Sequence, residues 1–167
     1  MGRDDLDPRA EKEGFTLALA LVDAIPVLEF CISIFYVAIA TQSLLMVVGA
    51  LCCVYAGFGK VAWKLMLALR GRDMPQLTKN FMKRMLTGFA LIVVGLLFYA
   101  SSIDGAALVA RVLSYPAVLF FALAVVFMVV LCVLRAVLDQ GSARNNWIEQ
   151  LVNIAMQTAL LFGILSC

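Results

Sequence analysis

Two acids and two lysines stand inside stretches of this sequence that are otherwise apolar, and they are the residues with chemistry to offer. Asp23 and Glu29 lie within FTLALALVDAIPVLEFCISIFYVAIA, and Lys60 and Lys64 within LLMVVGALCCVYAGFGKVAWKLMLAL. A charge near the middle of a membrane helix costs roughly 2.5 to 3.5 kcal/mol on insertion scales, so it is kept for a partner or for a pathway. If the two stretches are antiparallel helices joined at Thr41, Gln42 and Ser43, Asp23 and Lys60 lie almost equally far from the joint, about 28 Å at 1.5 Å per residue. An ion pair between them is the expectation. Lys64, one turn nearer the membrane surface, is expected to extend its amine out to the interface.

Glu29 has no such escape, because it sits near the middle of the first stretch and its side chain is short. A carboxyl there finds a hydrogen-bonding neighbour or takes up a proton, alone or as part of a relay. Pro26, one turn earlier, removes a backbone donor and loosens the helix beside it. The last apolar stretch offers partners. Asn146, Gln150, Asn153 and Gln157 recur on one helical face, and Gln157 falls at the depth of Glu29. The transport or polar-site candidates are therefore Asp23, Glu29, Lys60, Gln157 and Asn153. The competing reading is that the amides hold helices together and the carboxyl is a structural, protonated group.

The elements that must position these residues are membrane-spanning helices. The 167 residues are 64% hydrophobic and 14% charged with a mean hydropathy of +1.01, far more apolar than a soluble domain. The apolar runs reach about 20 residues, the length that crosses a bilayer. We expect an all-α, polytopic transmembrane helix bundle with spans at about 15–40, 44–69, 85–103, 115–138 and 147–166, following an amino-terminal segment at 1–14. That segment is rich in both charge signs and the first span carries acids without a small-residue cleavage site, so it reads as retained rather than as a signal peptide. Between the third and fourth spans, DGAALVARVLSY suits a short interfacial helix before Pro116.

Arg70, Arg72, Lys79, Lys83 and Arg84 concentrate between the second and third spans, against Asp73 alone, whereas the next loop on the opposite side holds Arg111. The positive-inside rule then puts this loop and the amino terminus in the cytoplasm and Cys167 outside, most simply in a plasma membrane. The same five cations form a lipid-headgroup contact. Leu77, Phe81 and Met85 recur every fourth residue opposite the basic ones, so the third span is expected to start as an amphipathic helix entered at Pro75.

Gly49, Cys53 and Gly57 form a row of small residues on the second span that lets another helix approach closely, and with Pro26 they are the packing candidates. A homo-oligomer through that row is the expectation. The five cysteines show no CxxC and read as small apolar residues. With no histidine, a histidine base or haem ligand is excluded, and no Walker loop, GxGxxG or GxSxG is present. No cofactor or metal is expected, nor a nucleic-acid partner at a net charge of +2 without a basic stripe. The readings left are a small transporter or channel subunit for protons, ions or a small solute; a noncatalytic membrane partner or assembly protein; and, third, a lipid-modifying enzyme.

Overall fold

The structure, a computed structural model, describes residues 16–70, 75–102, 105–138 and 143–167. Those residues form six helices: α1 (Leu17–Thr41), α2 (Leu44–Arg70), α3 (Pro75–Ser102), α4 (Gly105–Val112), α5 (Ala117–Val137) and α6 (Ala143–Leu165). All but α4 are long and apolar enough to cross a membrane. The protein is thus an all-helical, multi-pass integral membrane protein, with five spans at nearly the expected boundaries. The segment 1–14 lies outside the described residues.

Local chemistry sets the ends. The Thr16 hydroxyl accepts the Leu19 N–H at 3.2 Å and caps α1, which runs unbroken through Pro26. At the far end of α1, Thr41 turns its hydroxyl back to the Val37 carbonyl, and Gln42 adopts a left-handed conformation with φ 49°. Ser43 then accepts the Met46 N–H, so the three residues make a tight reversal into α2. Proline opens α3 at Pro75, where a missing N–H costs nothing. The helix expected before Pro116 is α4, carrying Arg111 in its last turn.

The spans pack as a row ordered α3, α2, α1, α6, α5, with α4 bridging between the ends of α3 and α5. Because successive spans reverse direction, α1 and α6 run parallel. The core divides by polarity along the membrane normal. Near the α1–α2 reversal, Ile34, Ala38, Met46, Ala50, Cys53 and Ile92 form one apolar cluster. At the opposite end, where α1 and α6 begin, Asp23, Lys64, Asn146, Glu149 and Gln150 are all buried.

The small-residue row on α2 is taken up within the chain, which corrects the expectation that it serves a second copy. A Cβ on Gly49 would lie 2.8 Å from the Gly88 carbonyl, and one on Gly88 would lie 2.8 Å from the Gly49 carbonyl, so α2 and α3 cross backbone to backbone. Cys53 joins this contact by directing its thiol at the Met85 carbonyl. Gly57 sits instead against Val27 on α1. The row faces two neighbouring helices at once because it climbs the groove between them.

Candidate functional site

Asp23 forms its ion pair with Lys64, at 2.9 Å between Oδ1 and Nζ, rather than with Lys60. The reason lies in how side chains leave a helix. Cα–Cβ bonds tilt toward the helix amino terminus, so on antiparallel helices Asp23 leans toward the start of α1 and Lys64 leans back from the end of α2. The two meet from Cα positions that differ in depth, whereas Lys60, matched to Asp23 in depth, leans away. Both partners are sealed, Asp23 at 4% exposure and Lys64 at 6%, so Lys64 does not reach out to the interface.

A second pair lies at the same end, between Arg135 on α5 and Glu149 on α6, at 3.7 Å. Glu149 is buried while Arg135 is half-exposed, so the arginine carries the contact toward the surface. Lys60 stands within electrostatic range of all four charges, Asp23, Lys64, Arg135 and Glu149. Those four cancel in two pairs, and Lys60 itself makes no hydrogen bond or ion pair among the described residues. Its side chain lines a recess between α2 and α3 with Ala56, Phe81, Met82 and Met85.

Glu29 occupies a separate site in the middle of the bundle. The Thr158 hydroxyl of α6 donates to Glu29 Oε1 at 2.6 Å, which locks α1 to α6. The other carboxyl oxygen, Oε2, is sealed from solvent and has no hydrogen-bond partner among the described residues. The expected neighbour, Gln157, is the residue beside Thr158, and its Oε1 is likewise buried without a partner. Two more oxygens on these two helices share that state, those of Ser33, one turn beyond Glu29, and Gln150, two turns before Gln157. Along the axis the four span about 18 Å at 1.5 Å per residue. Buried oxygens without donors are uncommon, and these four lie together on one helix pair.

The candidates thus divide. Glu29 and Gln157 lie at the α1–α6 contact, with Asn153 half-buried one turn before Gln157 on α6, while Asp23 and Lys60 belong to the charged end. Pro26 lies between the two regions, buried, and supplies no N–H to the Val22 carbonyl. Thr158 was missed because a helical threonine commonly bonds its own backbone. Glu149 carried a readable signal, standing three residues after Asn146 and beside Gln150 on the polar stripe. Of the headgroup cations, Lys83 and Arg84 are exposed on α3, and Arg84 lies over the Tyr55 ring at 4.9 Å from its centroid. Arg72 and the side chains of Arg70 and Lys79 lie outside the described residues. No protein family, curated protein or solved structure is matched by this chain.

Proposed function

We propose that this membrane protein is a small transporter or channel subunit that moves protons or small cations, with Glu29 as the group that binds them. One observation carries the reading: a carboxyl in the middle of the bundle is held by Thr158 at one oxygen and left open at the other. A carboxyl whose only task was to join helices would use both oxygens, because an unmet acceptor in a dry interior costs about 1 to 3 kcal/mol. The buried oxygens of Gln150, Gln157 and Ser33 extend acceptor character to either side of it. The test is flux of protons or alkali cations into liposomes containing the purified protein. Wild type exceeds empty liposomes, and Glu29→Gln falls to their rate.

A second reading, a noncatalytic membrane partner or assembly protein, is favoured by the shape of the row. Its end helices α3 and α5 each pack mainly on one other span, leaving broad apolar flanks, as exposed Val93, Leu97 and Phe98 show on α3. Under that reading wild type and Glu29→Gln both match empty liposomes.

A further inference from the structure

The geometry points to a site for an anionic membrane lipid in the recess between α2 and α3, its phosphate on the Lys60 ammonium and one acyl chain over Ala56, Met82 and Met85. Three observations converge on it, none of which involves Glu29. The first is charge. Among the described residues Lys60 is the remainder after Asp23 pairs with Lys64 and Glu149 with Arg135, and neither α2 nor α3 contains an aspartate or glutamate. An ammonium left over in so apolar a setting calls for an anion.

The second is depth. Glycine contacts fix the register of the antiparallel pair: Gly95 packs on Met46, Gly49 on Gly88 and Ile92, and Gly59 on the Phe81 ring. Lys60 therefore lies level with Asn80, about 7 Å on the headgroup side of Met85, where the third apolar stretch begins after Lys83 and Arg84. Ala56 likewise lies about one turn, or ~6 Å, deeper. A lipid in this recess thus has its charge on the headgroup side and its chain in hydrocarbon.

The third is lining. Apart from Lys60 the recess wall is Ala56, Phe81, Met82 and Met85, which suits a flexible chain and gives a free inorganic ion nothing to bond beyond one amine. Exposed Lys83 and Arg84 on the neighbouring turn of α3 add attraction for an anionic headgroup without needing to touch it.

The test is native mass spectrometry of the protein extracted from bilayers of equal phosphatidylglycerol and phosphatidylcholine. Wild type retains phosphatidylglycerol in preference to phosphatidylcholine. Lys60→Met lowers that preference by about fivefold, the factor for one lysine at a lipid surface, and Lys60→Arg keeps it. Met82→Trp, which fills the apolar wall and leaves the ammonium in place, lowers it as well, so the result does not hang on one substitution that disturbs folding. Arg111→Gln, a cation at the other end of the bundle, leaves it unchanged. Equal retention of the two lipids by wild type, unchanged preference in both Lys60→Met and Met82→Trp, or displacement of the lipid by soluble glycerol phosphate would overturn the assignment.

Discussion

At the scale of the residue, the choice between Lys60 and Lys64 as the partner of Asp23 was made by one methylene direction. Counting residues from the α1–α2 reversal gives Cα depth and nothing more. The tilt of each Cα–Cβ bond then moves the two functional groups by several ångströms in opposite senses, enough to change which lysine is met. The sequence therefore disclosed that Asp23 has a lysine partner on α2 and not which lysine it is. A pair this well sealed is costly to halve. Asp23→Asn or Lys64→Met alone is expected to lose about 3 to 5 kcal/mol, while the double variant loses markedly less, since no charge is then left alone. Thermal unfolding in detergent reads the cycle. Additive losses would mean that each group is satisfied elsewhere, and Lys60→Met, outside the pair, should couple to Asp23→Asn much more weakly than Lys64→Met does.

At the scale of the element, the five spans were legible because lipid imposes a length and a composition that few other constraints obscure. Their ends were legible where punctuation is local, at the Thr41, Gln42 and Ser43 reversal and at Pro75, and α4 could be read from its alternation of apolar and charged residues. What neighbours each face was not legible. The Gly49, Cys53 and Gly57 row predicts close approach, yet spacing on one helix cannot say whose backbone approaches. The answer lay in the glycines of α3, Gly88 and Gly95, which complete the contact from the other side. Gly49→Ala or Gly88→Ala is accordingly expected to cost about 1 to 3 kcal/mol by forcing the two backbones apart. A melting temperature in detergent unchanged by either would show that α2 and α3 do not cross there.

At the scale of the whole molecule, the row of spans puts nearly all the described charge at one end and an apolar cluster toward the other. Of the cations, Lys83, Arg84, Arg135 and Arg144 accompany the charged end, and Arg111 stands at the opposite one. By the positive-inside rule we propose that the charged end is cytoplasmic. In a chain whose five cysteines are replaced by serine, Gln76→Cys should resist an impermeant thiol reagent applied to intact cells and react once they are opened; labelling from outside would invert the orientation. Orientation also sets the direction in which the Gln150, Gln157, Glu29 and Ser33 oxygens would be used, from the charged end inward. The most direct test of that use is the initial rate of dye-reported proton uptake into liposomes carrying wild type, Thr158→Val or Glu29→Gln. Glu29→Gln should fall to the rate of empty liposomes, and Thr158→Val about tenfold below wild type, the kinetic equivalent of one hydrogen bond to a carboxyl. Uptake by Glu29→Gln as fast as by wild type would contradict the assignment of Glu29 as the group through which the protein works.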